Sequence, residues 1–189
     1  VALIEAIAAA LSAVRRPPVV LDPVMVSKSG YALLQPDARQ ALTARLFPLA
    51  RVVTPNIPEA ELLIGATIGD LGQMRAAARR IVEMGVPNVV VKGGHLGGDA
   101  SVDILYDGKD FSELSDPRIA TLHTHGTGCT FSSAIAAWLA RGCEFPEAVR
   151  RAKRYVTGAI AHALAIGKGH GPTHHFYELY DRAGMKTGC

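Results

Sequence analysis

Apolar positions along the chain repeat first with helical spacing and then in short unbroken runs. Residues 2–14 carry a helical repeat that Arg15-Arg16-Pro17-Pro18 stops. Val19-Val20-Leu21 is a continuous apolar run closed by Asp22-Pro23, the signature of a buried strand. Residues 36–47 predict a helix with Pro36 in its first turn, where a missing N–H costs nothing. Arg51-Val52-Val53-Thr54 predicts a short buried strand ending at Pro55, and helical patterns follow at 57–64 and 70–84. Gly85 and Pro87 close the second of these, and Asn88-Val89-Val90-Val91-Lys92 predicts another strand, cut off by Gly93-Gly94.

Short apolar strands separated by helices build right-handed βαβ units. The expected fold class is therefore α/β, with a mostly parallel sheet and helices on both faces. From Val102 the pattern changes. Val102–Tyr106 alternates, residues 107–110 read as a hairpin turn, and strands are expected near 111–114 and 118–122. These give the sheet an antiparallel edge. Two long helices, at about 128–141 and 144–166, complete the predicted elements.

Ligands of open parallel sheets sit beyond the carboxyl ends of the strands, so the residues there matter most. Asp22 follows the first strand, Thr54 to Glu59 the second, and Lys92 to His95 the third. Asp22 before Pro23 reads either as a turn residue or as a carboxylate near a metal. Asn56 and Glu59, three apart at a helix start, suit Mg²⁺-bound water, or equally an N-cap with its partner acid. Lys92 is a point charge suited to phosphate, or a surface lysine; the following glycines favour close backbone approach.

The strongest chemical signal is His123-Thr-His-Gly126-Thr127-Gly128-Cys129-Thr130, leading straight into the apolar helix from Phe131. Two glycines allow a tight turn, and a helix mouth adds open N–H groups and partial positive charge. Together they suit the charge on a transferring phosphoryl group, although a G-x-G turn also occurs as a plain helix entry. Cys129 in the first turn is either an activated thiol or a small hydrophobe. Cys143 and Cys189 lack any such setting.

Composition narrows the classes. With 189 residues, 49% hydrophobic and 20% charged, the chain reads as one globular domain. Twenty Lys and Arg against 17 Asp and Glu, with 6% aromatics, leave no nucleic-acid footprint. No run reaches the length of a membrane span, and the three cysteines show no disulfide or zinc spacing, which fits a reducing cytoplasm. Seven histidines form no H-E-x-x-H pattern. A Walker-type G-x-x-x-x-G-K-[ST] loop and a G-x-S-x-G elbow are both absent.

Six ordered blocks then converge on one family. Asp22-Pro-Val-Met25, Lys28-Ser-Gly30, Thr54-Pro-Asn-Ile-Pro-Glu-Ala60, Val91-Lys-Gly-Gly-His95, Thr124-His-Gly-Thr-Gly-Cys-Thr130 and Gly169-His-Gly-Pro-Thr-His-His-Phe176 resemble hydroxymethylpyrimidine/phosphomethylpyrimidine kinases of thiamine biosynthesis, in the ribokinase superfamily. The resemblance implies a ribokinase-like fold and ATP with Mg²⁺. The activity it implies is phosphorylation of a hydroxymethylpyrimidine and then of its monophosphate. It assigns Gly126, Thr127 and Gly128 to an anion hole and places Cys129 where most of the superfamily has a catalytic Asp. Thr54, Asn56 and Lys92 fall on the phosphate side, Glu59 and Asp22 on the metal side, and Val24 lines the pyrimidine pocket. It also implies a homodimer, and an N-terminal strand with a glycine-rich segment to which nothing before Val1 corresponds. Pyridoxal kinase of the same superfamily, and a nucleotide-binding remnant without activity, are the alternative readings.

Overall fold

The computed structural model describes residues 1–14, 17–26, 31–94, 96–166 and 168–185. The expected blocks Lys28-Ser-Gly30 and His95, the helix stop at Arg15-Arg16, and Cys189 lie outside them. The chain divides into two compact units, Val1–Ser115 and Asp116–Cys189.

The first unit is built on the α/β alternation read from the sequence. Helix α1 (Ala2–Ala13) precedes strand β1 (Val20–Leu21), and α2 (Pro36–Leu46) runs into a 3-10 turn, Phe47–Leu49. Strand β2 (Val52–Val53), helices α3 (Ile57–Ile64) and α4 (Leu71–Glu83), and strand β3 (Val89–Val91) follow. Strands β4 (Ala100–Tyr106) and β5 (Phe111–Pro117) complete a five-stranded sheet in the order β1-β2-β3-β4-β5. The β1–β2 and β2–β3 pairs are parallel, and β3 meets β4 antiparallel with Val91 opposite Ile104. A ribokinase-like α/β fold, mixed at its edge, is thus what the alternation produces.

The core explains why the strands are so short and apolar. Val53, Val89, Val91 and Ile104 are fully buried against Phe47, Met74, Ala77 and Ile81. At about 25 cal/mol per Å², each such side chain stabilises the fold by roughly 1.5–3 kcal/mol. Helix α4 keeps its small residues on this face: Ala77 and Ala78 are buried, while the Arg75 guanidinium bonds the Glu113 carboxylate of β5.

Two expectations fail at element ends. The strand expected at 118–122 does not form; β5 instead runs unbroken to Pro117, and residues 118–122 are irregular. Pro117 donates no N–H, so the ladder stops there. In the second unit, α5 (Thr127–Ala140) and α6 (Phe145–Ala161) form, but α6 ends five residues before the expected 166. His162 closes it: its N–H reaches the carbonyls of Gly158 and Ile160, its Nδ1 lies 2.9 Å from Gly158 O, and its ring stacks on Tyr177. A short helix α7 (Tyr177–Arg182), not anticipated from the sequence, follows the loop that carries Tyr177 there.

Candidate active site

In the first unit the ends of β1, β2 and β3 bring their polar residues into direct contact. The Lys92 ammonium lies 2.8 Å from Asp22 Oδ1, and the Thr54 hydroxyl donates to that same oxygen at 3.1 Å. Both partners of the ion pair are largely buried, with 16% and 15% of their side-chain surface exposed. The turn role considered for Asp22 is realised, since its carbonyl also accepts the Val24 N–H at 2.9 Å in a tight turn. That turn leaves Val24 43% exposed, on the loop just beyond β1.

Asn56 and Glu59 form a reciprocal cap at the mouth of α3. Asn56 Oδ1 accepts the Glu59 N–H at 2.9 Å, and Glu59 Oε2 accepts the Asn56 N–H at 2.8 Å. The capping reading is therefore realised. Pro58 sits in the same first turn, where it needs no donor. The cap does more than stabilise, because Glu59 is only 3% exposed. Burial pushes its carboxyl above the ordinary value; the Asn56 hydrogen bond and nearby Lys92 pull the other way, and Asp22 adds to the rise. The Lys92 N–H donates to Pro55 O at 2.8 Å, and Lys92 bridges Asn56, so β3 and the Thr54–Asn56 loop are stitched together. Asp22, Thr54, Asn56, Glu59 and Lys92 thus form one cluster.

In the second unit, Gly126 takes φ +82°, a left-handed conformation open to glycine, and α5 begins at Thr127 with no side-chain cap. Thr127 and Thr130 turn their hydroxyls back onto the carbonyls of Thr124 and Gly126, at 2.8 Å each. The backbone N–H groups of Gly128 and Cys129 find no acceptor among the described residues. The mouth of α5 therefore presents open donors with the positive end of the helix dipole behind them. Cys129 is exposed in that first turn, whereas Cys143 is half-buried.

The turn is held from behind by a second segment. The His125 N–H donates to Gly171 O at 3.2 Å, the Gly171 N–H donates to His123 Nδ1 at 3.0 Å, and His125 pairs with Pro172. A Cβ on Gly171 would lie 2.4 Å from His123 Nδ1, so only glycine allows this approach. The histidines here are structural partners of the loop. Among the described residues no group of three or more His, Cys, Asp or Glu is placed to hold a metal. A cavity of about 990 Å³ runs along α5 from Cys129 past Ala137 to Arg141, walled by Arg151 and Tyr155 of α6. Nothing in the sequence pattern announced it, because its walls come from separate helices.

The sequence is similar to known kinases over nearly its whole length. A family model described as phosphomethylpyrimidine kinase matches residues 1–174. The chain is 55% identical to the thiamine biosynthesis bifunctional protein ThiED of Geobacter sulfurreducens, over 94% of this chain and 36% of that protein. It is 49% identical to the hydroxymethylpyrimidine/phosphomethylpyrimidine kinase of Haemophilus influenzae, over 83% of this chain and 60% of the relative. It therefore spans about a third to three fifths of these relatives' length. Among solved structures, an ADP complex of Bacillus subtilis pyridoxal kinase superposes with a TM-score of 0.86 at 41% identity, covering 93% of this chain and 66% of that one. A phosphomethylpyrimidine kinase from Clostridium difficile gives 0.72 at 42% identity, covering 84% and 64%. With the open helix mouth and the lysine–carboxylate cluster in place, these matches establish that the chain belongs to the phosphomethylpyrimidine kinase family.

Proposed function

We propose that the protein transfers the terminal phosphoryl group of ATP to 4-amino-5-hydroxymethyl-2-methylpyrimidine and then to its monophosphate. The observation that carries this reading is the mouth of α5, where the N–H groups of Gly128 and Cys129 have no acceptor among the described residues. Open backbone donors at a helix N-terminus are suited to an anion. Phosphoryl transfer asks mainly for positioning and charge neutralisation, which such fixed donors supply without reorganisation.

In this reading Gly126, Thr127 and Gly128 hold the migrating group, while Lys92, Thr54 and Asn56 serve the donor phosphates. Cys129 accepts the proton of the alcohol, and Val24 contacts the pyrimidine. Glu59 and Asp22 suit Mg²⁺: they are hard oxygen donors, and a buried carboxylate whose charged form burial disfavours gains from a cation beside it. Mg²⁺ commonly takes one or two carboxylates and completes its shell with water and phosphate, so a set of two is sufficient. When bound, the ion would spread the negative charge of the phosphates. A homodimer and a cytoplasmic setting remain part of the proposal; no helix among the described residues is long and apolar enough to cross a membrane.

Pyridoxal as acceptor is a second reading, favoured by the TM-scores of 0.84 to 0.86 against pyridoxal kinases. Limiting ATP offered to equimolar hydroxymethylpyrimidine and pyridoxal separates the two. Phosphorylated pyrimidine as the main product supports the first reading. Phosphorylated pyridoxal supports the second, and ATP binding without either product refutes both.

A further inference from the structure

We propose that Asp103 is a positioning residue for Lys92, fixing the end of β3 so that the ammonium is held for a phosphate. Asp103 is a carboxylate inside a strand, only 7% exposed, and its Oδ1 accepts the Gly93 N–H at 2.9 Å. The β3–β4 register pairs Val91 with Ile104. One step further, it places Asp103 opposite Lys92 and Val102 opposite Gly93. The packing agrees: a Cβ on Gly93 would lie 1.8 Å from Val102 O, so the backbones touch there and only glycine fits.

Lys92 is thereby gripped from three directions. Its own N–H is held by Pro55 O, its ammonium by Asp22, and the peptide that follows it by Asp103. The strand ladder ends at Val91, so without the carboxylate the Gly93 amide loses its anchor on the β4 side. Glycine has the widest conformational freedom of any residue, and two follow Lys92 in succession. A buried acid next to such a hinge replaces the missing ladder with a charge-assisted bond, about twice as strong as a neutral one. In the sequence Asp103 is simply the polar position of the alternating run Val102–Tyr106.

The proposal rests on reading Lys92 as a phosphate-side cation, and the test separates the two. Hydrogen exchange at the Gly93 amide reads the anchor directly in the full chain without nucleotide. Asp103→Ala is expected to speed that exchange at least tenfold, while Asp103→Asn, which keeps an acceptor oxygen, stays within about threefold. Mg-ADP binding reads the consequence. Asp103→Ala should weaken it roughly tenfold, yet add nothing to Lys92→Ala in the double variant, because the effect passes through the lysine. Unchanged Gly93 exchange in Asp103→Ala, or additive losses in the double variant, overturns the proposal. If the wild-type chain does not bind Mg-ADP, the nucleotide reading fails, and Gly93 exchange alone decides the role of Asp103. Should Asp103→Ala not fold, Asp103→Leu, which fills a similar volume without an acceptor oxygen, carries the same expected tenfold rise in Gly93 exchange, and unchanged exchange there overturns the proposal equally.

Discussion

One oxygen of Asp22 holds the Lys92 ammonium at 2.8 Å across 70 residues of sequence. The same oxygen takes the Thr54 hydroxyl, so the ends of three strands meet on a single acceptor. The pair is too buried to be screened as surface ion pairs are. Asp22→Asn keeps an acceptor for Thr54 but leaves a shielded ammonium without its counter-charge. The expected loss is about 1–3 kcal/mol. A lower urea midpoint at unchanged slope would show it; an unchanged midpoint would show that Lys92 finds another partner.

Glu59 makes stability depend on pH in an unusual direction for a carboxylate. Its folded pKa is raised by burial, so between its unfolded value of about 4.5 and the higher folded value the native state binds more protons. Stability contributed at this position is therefore present below the unfolded pKa and declines as pH rises through the folded one. Glu59→Gln preserves an acceptor for the Asn56 N–H and removes the titration. Relative to wild type, the variant should gain in thermal stability from pH 4.5 to pH 8, while losing phosphoryl transfer. Parallel melting curves for the two proteins across that range would contradict this.

Cys129 is exposed at the donor-rich end of α5. In the proposed two-step reaction the first acceptor is a primary alcohol that must lose a proton, and the second is a phosphate already ionised at neutral pH. Cys129→Ala should slow the alcohol step by about 10²-fold, the scale of a lost general base, and the phosphate step much less. Single-turnover rates for the two acceptors measure the split. Equal losses would assign Cys129 a packing role.

Gly126 and Gly171 should fail differently when given a side chain. Gly126 has φ +82° and open space around its missing Cβ, so Gly126→Ala costs about 1–2 kcal/mol in backbone strain alone. It should fold, melt lower and bind nucleotide less well. Gly171 has ordinary φ, but its Cβ would meet His123 Nδ1 at 2.4 Å and Leu164 O at 2.7 Å. Gly171→Ala must push the backing segment off the 123–125 loop. Amide exchange at His125 should then rise in Gly171→Ala and stay low in Gly126→Ala.

Much of this molecule is written in local signals. Proline and glycine after each short valine run set where β1, β2 and β3 stop, and those stops put Asp22, Thr54 and Lys92 at strand ends. The glycines of 126–128 announced the mouth of α5, and the spacing of Asn56 and Glu59 announced the cap of α3. These features depend on a few neighbouring dihedrals and hydrogen bonds, so the order of residues alone decides them. Contacts between distant segments are different in kind. That Asp22 meets Lys92, that Asp103 anchors Gly93, that Gly171 braces His123 and that His162 ends α6 early by stacking on Tyr177 all follow from packing. Burial and close approach are properties of several chain segments at once, and only the folded arrangement fixes them.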